Sequence, residues 1–501
     1  MRDPFTKPFC EAEDLGLAIP DSDHAVSVCL PRWDDVIGYE EGDESILDAL
    51  EGGYPRFMAH PLVAELCEAA ASEFAKHTEG TLVFPSLAAA WRAADYIKRH
   101  GGKGARLESY GWGDLTVLIC AEADWKLAWK CWQHGGEIVS SRLAESALSD
   151  APLDETVVAS GAAARELVRG RIASFYPGSA AEDVFLFSSG MAAIFAVQRT
   201  LSERRPGLPT IQIEFPYIDA FKVQERFGSG GVVDFSLTRS GGLDEVTHWL
   251  KTNPTAAGVF TELPSNPLLR TADLARLAPL LRAAGIPLVV DDTVATSVNV
   301  ETLRFADIAT CSLTKAFSGA GDVAGGAVIL RADLAGREAI RESLALAEKA
   351  SPLFERDAIV LEVNSRHYRE RVEASNANAT AVVASLQSLP EVERIWYPTL
   401  ETPEFYEAVR HPDGGTGGLI SFVLRGGEAA AKAFYDRIAL CKGPSLGTDF
   451  SLLCPYTLLA HYGELPWAEE RGVRRDLLRL SVGLEDEDDL LARILTAVTN
   501  N

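Results

Sequence analysis

The pattern that best indicates the fold lies in the segment from Leu288 to Leu330, LVVDDTVATSVNVETLRFADIATCSLTKAFSGAGDVAGGAVIL. It opens with a short apolar run that ends in Asp291 and Asp292, and it closes on a second apolar run. Between them, S-L-T-K places Lys315 directly after small hydroxyl residues. Short apolar runs bounded by Gly and Pro are typical of strands buried in a parallel sheet.

Further apolar runs alternate with helical patterns along the chain. The runs predicted as strands are Thr210–Phe215, Gly258–Thr261, Pro287–Asp291 and Ala327–Leu330, with the helical sequences AVQRTLSERR and LARLAPLLRAAG between them. This alternation predicts an α/β fold with a mostly parallel sheet covered on both faces. Ligands bind at the carboxyl ends of strands in such sheets, so the end of the strand at Asp291 is a candidate site.

Changes in apolar patterning and charge along the sequence predict four structural units. Residues 1–65 form an N-terminal extension, and residues 66–165 form an inserted small α/β unit with VLIC as a strand and DWKLAWKCWQHGG as a helix. Residues 166–345 form the large domain. Residues 346–501, with a long charged helical stretch and the strand GLISFVLRGG, form a smaller C-terminal α+β domain.

Composition restricts the partners that we expect. The chain has 501 residues and a formal net charge of −25, which repels nucleic acids and anionic membranes, so neither is expected as a partner. The charged first residues lack the apolar core of a secretory signal, which favours a cytoplasmic location. The eight cysteines include no C-x-x-C pair, so we expect reduced thiols and no metal site.

The chemistry of S-L-T-K depends on its neighbours. A lysine that forms a Schiff base with pyridoxal 5'-phosphate (PLP) needs a carboxylate facing the pyridine nitrogen, because the protonated ring stabilises a substrate carbanion. Lys315 and Asp291 fit these two roles. Ser312 and Thr314 can donate hydrogen bonds to the cofactor phosphate. The segment therefore predicts a PLP-dependent enzyme that acts on an amino acid.

Two other interpretations of Lys315 are open at this point. A lone lysine after an apolar strand is commonly a solvated surface charge. S-L-T-K also fits the S-x-x-K of acyl-transfer enzymes, with Ser312 as nucleophile and Lys315 as its helper. That mechanism requires S-D-N and K-T-G downstream, and neither is present; Lys251-Thr252-Asn253 lies upstream and lacks the glycine.

Separated motifs resemble, in order, those of the cystathionine γ-synthase-like family of PLP enzymes in cysteine and methionine metabolism. They are Y-P-R-F-M-A-H-P (54–61), S-S-G-M-A-A-I (188–194), F-P-Y-I-D-A-F (215–221), E-L-P-S-N-P (262–267), D-D-T (291–293), P-S-L-G (444–447) and L-R-L-S-V-G-L-E-D (478–486). The family commonly has D-N-T and Y-G-x-x-Y, so this chain departs at position 292 and beside Tyr217. The resemblance implies the aspartate aminotransferase-like fold, fold type I, with a seven-stranded sheet.

The resemblance also implies roles at the cofactor phosphate. Tyr54 and Arg56 would reach the PLP phosphate of a neighbouring subunit, so that residues 1–65 act as an arm. Gly190 and Met191 would offer backbone N–H groups to the phosphate from a helix N-terminus.

Four further residues inherit roles at the ring and the substrate. Tyr217 would stack on the cofactor and assist proton handling, and Asn266 would hydrogen-bond its phenolic oxygen. Ser445 and Arg479 would bind the substrate α-carboxylate, for which a bidentate arginine is suited. The catalytic residues implied are Lys315 and Tyr217.

The sequences HAVSVCLPRWDDVIGYEEG and WQHGGEIVSSR resemble the long cystathionine γ-synthases typical of fungi, and they account for the inserted unit. The implied reaction is γ-replacement on O-acetyl- or O-succinyl-L-homoserine through a vinylglycine-type intermediate, with cysteine or another nucleophile. A homodimer or homotetramer with shared active sites is implied. A sulfhydrylase, a carbon–carbon bond-forming enzyme of specialised metabolism, a γ-lyase and an inactive assembly subunit stay open as alternatives.

Overall fold

The computed structural model of the chain describes residues 2–54, 56–111, 113–149, 151–236, 242–253 and 255–499. Its large domain is built on a sheet with the strand order Val184–Phe187, Gly326–Leu330, Ile308–Ser312, Leu288–Asp291, Val259–Glu262, Thr210–Ile213 and Val232–Phe235. Gly326–Leu330 runs antiparallel to both of its neighbours, and the other pairs are parallel. The predicted mostly parallel, seven-stranded sheet is confirmed.

Helices cover both faces of this sheet, as its uniformly apolar strands require. Val290 belongs to an apolar cluster on one face and Val289 to a cluster on the other, because successive strand residues point to opposite sides. Gly285 has φ +65° and follows the helix Leu274–Ala283 as a left-handed cap residue. The large-domain helices are Glu155–Ala173, Gly190–Arg204, Ile218–Phe227, Leu243–Thr252, Leu274–Ala283, Thr302–Phe305 and Arg337–Ala350.

The C-terminal part has a second sheet with the strand order Val392–Trp396, Leu419–Leu424, Leu478–Ser481, Leu452–Pro455 and Cys441–Lys442. The long charged stretch predicted as helical forms two of its helices, which are separated at residues 365–367. The helices are Glu355–Asn364, Tyr368–Ser388, Pro398–Glu401, Pro403–Val409, Gly427–Arg437, Tyr456–His461, Leu465–Glu470 and Glu487–Thr499.

The inserted unit is a small α/β layer. Its strand order is Glu79–Phe84, Thr116–Ala121 and Ala105–Ser109, and its helices are Pro61–Phe74, Leu87–Arg99, Trp125–Gly135 and Ser141–Leu148. The strand predicted at VLIC and the helix predicted at DWKLAWKCWQHGG are both present.

The N-terminal segment packs on its own chain. It contains the strands Ala18–Ile19 and Ser27–Val28 and the helices Trp33–Glu41 and Glu44–Leu47. Its apolar side chains Val28, Leu30 and Trp33 are part of the same core cluster as the C-terminal sheet. Burial of these side chains holds the segment against the C-terminal domain. The expected role of residues 1–65 as an arm that reaches a neighbouring subunit stays a prediction.

The cysteines and the apolar character of the helices are two further features of the fold. All eight cysteines are free thiols. Within the residues that the structure describes, none of the helices combines the length and the apolar character needed to cross a bilayer.

Candidate active site

A cavity opens at the carboxyl ends of the parallel strands. Lys315 lies in this cavity, in the irregular turn Leu313–Phe317 that directly follows the strand Ile308–Ser312. The other predicted site residues that line the cavity are Tyr54, Arg56, Gly190, Met191, Tyr217, Asn266, Asp291, Ser312, Thr314 and Arg479. The fold therefore brings residues from distant motifs into one place.

The amine of Lys315 is held by hydroxyl groups. Its Nζ lies 3.0 Å from Ser445 Oγ and 3.4 Å from the Tyr54 hydroxyl, and 5.2 Å from the centre of the Tyr54 ring. Removal from bulk water lowers the pKa of Lys315, and the positive charges of Arg479 and Arg56 act in the same direction. A lowered pKa favours the neutral amine, which is the nucleophilic form.

The two neighbouring carboxylates at the end of the strand have different surroundings. Asp291 lines the cavity and accepts hydrogen bonds from Thr310 Oγ1 and from the Thr293 N–H, both at 3.0 Å. Asp292 points away from the cavity, accepting from Tyr176 at 2.9 Å and Thr302 at 2.5 Å. Only Asp291 can therefore face a cofactor ring, in agreement with the alternation of side chains along a strand.

An anion-binding end lies where the helix Gly190–Arg204 begins. Ser189 caps this helix by accepting from the Ala192 N–H at 3.0 Å, so the N–H groups of Gly190 and Met191 stay available at the positive end of the helix dipole. A Cβ on Gly190 would lie 2.8 Å from Ser312 Cβ, so only glycine permits this close approach. Ser312 and Thr314 line the same wall.

Tyr217 and Arg56 form the opposite wall. The Arg56 guanidinium donates to the Tyr217 hydroxyl at 2.6 Å and pairs with the buried carboxylate of Asp219. Burial raises the pKa of Tyr217 although Arg56 opposes this shift. The Tyr217 phenol therefore keeps its proton at neutral pH.

Arg479 is aimed into the cavity by its own neighbours. It donates to the backbone carbonyls of Pro444 at 2.8 Å and Ser445 at 3.2 Å, and to Asn266 Oδ1 at 3.3 Å. Its guanidinium also lies 4.9 Å from the centre of the Tyr456 ring. These contacts fix a planar cation that matches a carboxylate.

Several residues that build the site were missed by sequence reasoning. Asp219 binds Arg56, and His134 from the inserted unit lies with Nδ1 2.8 Å from Asp219 Oδ1. Glu262 accepts from the Tyr217 and Asn266 N–H groups, and burial raises its pKa to about 8. Asp219 and His134 both occur inside sequence motifs quoted above. A motif does not reveal which way each of its side chains points, so their contact could not be predicted.

The residues present fit PLP. A buried amine, a carboxylate at the strand end and a helix N-terminus lie around one cavity, matching the aldehyde, ring nitrogen and phosphate of the cofactor. Tyr54 and Arg56 line this cavity, and their expected role at the PLP phosphate of a neighbouring subunit stays a prediction. The individual roles of the site residues stay predictions.

Comparisons with known proteins establish the class. Residues 159–499 match the family described as Cys/Met metabolism PLP-dependent enzyme. Residues 62–140 match the fungal trans-sulfuration enzyme, N-terminal domain, which coincides with the inserted unit. The chain belongs to the Cys/Met metabolism PLP-dependent enzymes, and PLP is its cofactor.

Two relatives share nearly the whole length. A cystathionine gamma-synthase of Neurospora crassa is 33% identical, with 95% of this chain and 97% of that protein covered. An L-2-amino-4-chloropent-4-enoate dechlorinase/desaturase of Streptantibioticus cattleyicolor is also 33% identical, with 95% and 96% covered. The family thus includes a synthase and an enzyme of different chemistry at similar distance from this chain.

A solved structure confirms the fold. The crystal structure of cystathionine gamma synthase from Xanthomonas oryzae pv. oryzae in complex with cystathionine matches with a TM-score of 0.59 and 28% identity, covering 70% of this chain and 88% of that chain. The predicted fold type I is therefore correct. The chain is a PLP-dependent enzyme related to cystathionine gamma-synthases.

Proposed function

We propose that the chain catalyses γ-replacement on an O-acyl-L-homoserine, acetyl or succinyl, with cysteine or another nucleophile as acceptor. The observation that carries this proposal is that the Lys315 amine and the Arg479 guanidinium both contact Ser445. Lys315 Nζ lies 3.0 Å from Ser445 Oγ, and Arg479 binds the backbone carbonyl of the same Ser445. A substrate whose carboxylate is held by Arg479 would have its Cα beside Lys315.

Bound PLP supplies a protonated ring that takes up electrons from a carbanion at Cα. Asp291, oriented by hydrogen bonds from Thr310 and the Thr293 N–H, would face the ring nitrogen and stabilise its protonated form. Gly190, Met191 and Ser312, which line the same cavity, would bind the phosphate.

Lys315 then acts as the proton carrier. It takes a proton from Cα and releases it to water. It then takes a second proton from Cβ while the Cγ–O bond breaks and the acyl group departs as a carboxylate. The nucleophile forms its bond at Cγ, and protons return to Cβ and Cα. The lowered pKa of Lys315 suits an amine that must both accept and release protons near neutral pH.

Tyr217 assists from the opposite wall. Its ring would stack on the cofactor, and its hydroxyl, held by Arg56 at 2.6 Å, is placed to exchange protons with the amino group that enters or leaves. Ser445 bridges the amine and the carboxylate-binding side of the cavity.

The test is to incubate the holoenzyme with O-acetyl- or O-succinyl-L-homoserine and, in separate reactions, with cysteine, sulfide or a β-keto acid, and to identify the products by mass. We expect a product joined at Cγ and release of the free acid. Lys315→Ala should abolish turnover, whereas Lys349→Ala, which changes an exposed lysine, should not. Formation of 2-oxobutanoate as the main product in every reaction would contradict γ-replacement and favour a γ-lyase.

A further inference from the structure

The turn that carries Lys315 does not continue as a helix. Lys315 has φ −89° and ψ −133°, values outside the helical range, and the irregular turn Leu313–Phe317 ends two residues later. The last carbonyl groups of a helical turn have no partner within it, so they need donors from elsewhere in the fold. A cation packed against the end of the turn meets this need.

Arg371, in the C-terminal-domain helix Tyr368–Ser388, supplies these donors. Its Nη1 donates to the Asn364 carbonyl at 2.7 Å. Its Nη2 lies between 2.9 and 3.1 Å from three consecutive carbonyl oxygens, those of Ala316, Phe317 and Ser318. One guanidinium therefore ties the three residues that follow Lys315 to a helix of the second domain.

The same guanidinium is paired with Asp449. Arg371 Nε lies 2.9 Å from Asp449 Oδ1, and the Asp449 N–H donates to the Gly319 carbonyl at 2.8 Å. Gly319 has φ +74°, and a Cβ there would lie 2.6 Å from Arg371 Nε. Only glycine therefore lets the backbone after Lys315 pass so close to this ion pair.

Asp449 belongs to the segment that also carries Ser445. Ser445 Oγ lies 3.0 Å from Lys315 Nζ, and Arg479 donates to the Ser445 carbonyl at 3.2 Å. Arg371 contacts the backbone after Lys315 and, through Asp449, the segment that bears Ser445. It therefore fixes the amine relative to the side of the cavity where the substrate carboxylate is expected to bind.

We infer that Arg371 is a positioning residue: by holding the turn after Lys315 against the segment that carries Ser445, it aims the Lys315 amine at the PLP aldehyde. Arg371 is not one of the described residues that line the cavity, so it acts through Lys315 rather than on the cofactor. This inference rests on the proposed role of Lys315 and does not depend on the acyl group or the nucleophile.

The test compares attachment of PLP with binding of pyridoxine 5'-phosphate, which has the same ring and phosphate but no aldehyde. Arg371→Ala should slow covalent attachment of PLP to the cofactor-free enzyme about 100-fold, the loss for a reacting group misplaced by about 1 Å. Its affinity for pyridoxine 5'-phosphate should equal that of the wild type, because Arg371 does not line the cavity. Borohydride trapping with mass spectrometry measures attachment, and equilibrium dialysis measures binding.

Two further variants of the same helix serve as controls. Arg369→Ala removes an exposed arginine paired with Glu373 and should leave attachment unchanged. Arg371→Lys keeps the positive charge but cannot reach three carbonyls at once, so it should slow attachment only about tenfold. Attachment that is as fast in Arg371→Ala as in Arg369→Ala would overturn the inference.

Asp449→Asn covers the case in which Arg371→Ala does not fold. The amide keeps the size and the acceptor oxygen of Asp449 and removes its charge, so attachment should slow about fivefold while pyridoxine 5'-phosphate binding is unchanged. Unchanged attachment, or an equal loss of pyridoxine 5'-phosphate binding, would overturn the inference. No acyl-homoserine enters these measurements, so failure of the proposed γ-replacement cannot be mistaken for failure of this inference.

Discussion

The amine of Lys315 differs from a surface lysine because the cavity removes it from water and places Arg479 nearby. We expect the rate of covalent attachment of PLP to the cofactor-free enzyme to rise with pH, with a midpoint below the ordinary lysine pKa of 10.5. Arg479→Gln removes a positive charge and should move that midpoint to higher pH. Borohydride trapping followed by mass spectrometry measures the attachment.

The control for this experiment is Arg475→Gln, which removes a partly exposed arginine paired with Glu428. It should leave the midpoint unchanged. A midpoint that is the same in Arg479→Gln and in the wild type would show that Arg479 does not act on the amine.

Asp291 and Asp292 offer a comparison between adjacent carboxylates. Asp291→Asn should lower kcat by about 100- to 1000-fold, the range for removing one electrostatic partner of a developing charge, while PLP stays bound. Asp292→Asn should have a much smaller effect, because Asp292 faces Tyr176 and Thr302 rather than the cavity. Steady-state kinetics of both variants decide the matter, and equal losses would contradict the assignment of Asp291.

Asp292 should instead control how stability depends on pH. Burial raises its pKa to about 7, so the folded chain binds a proton that the unfolded chain has released. Its contribution to stability is full below the unfolded carboxyl pKa of 3.8 and is lost progressively as pH rises from there to about 7. Asp292→Asn should therefore gain more melting temperature relative to the wild type at pH 8.5 than at pH 5. A difference that is independent of pH would contradict this account.

At the scale of elements, the contact between the inserted helix Trp125–Gly135 and the helix Gly190–Arg204 shapes the anion-binding end. Gly136 has φ +66°, and a Cβ there would lie 2.6 Å from Met191 Cβ and 2.7 Å from Ser189 Oγ. Gly136→Ala should therefore push the Ser189–Met191 turn away and weaken PLP binding. Spectroscopic titration with PLP measures this loss.

The neighbouring Gly135 provides a matched control. A Cβ at Gly135 would meet its nearest atom, Phe195 Cε1, at an ordinary 3.4 Å. Gly135→Ala should therefore bind PLP almost as the wild type does. If both variants bound PLP equally well, the contact would not support the site.

The same elements show how far sequence reasoning extends. The strand ending at Asp291 and the helix opened by Gly190 could be predicted because apolar periodicity, Gly caps and strand-end carboxylates are local signals. The association of His134 with Asp219 could not, because it depends on how the inserted unit docks. Likewise, no local signal revealed that Trp33 packs against Tyr435, since contacts distant in sequence are fixed by tertiary packing alone.

In the whole molecule, the large-domain sheet positions Lys315 and Asp291, and residues Tyr54 and Arg56 of the N-terminal segment line the same cavity. The two sheets and the site motifs were predictable because the resemblance spans nearly the whole chain. The packing of residues 1–65 was not, because burial of Trp33 against Tyr435 depends on tertiary contacts that no local pattern reveals.

Running the reaction of O-acyl-L-homoserine with cysteine in D₂O tests γ-replacement and the role of Lys315 as the proton carrier in one measurement. We predict a thioether product that carries deuterium at both Cα and Cβ with the wild type, and no product with Lys315→Ala. A product without deuterium at Cβ, or turnover by Lys315→Ala, would contradict the claim.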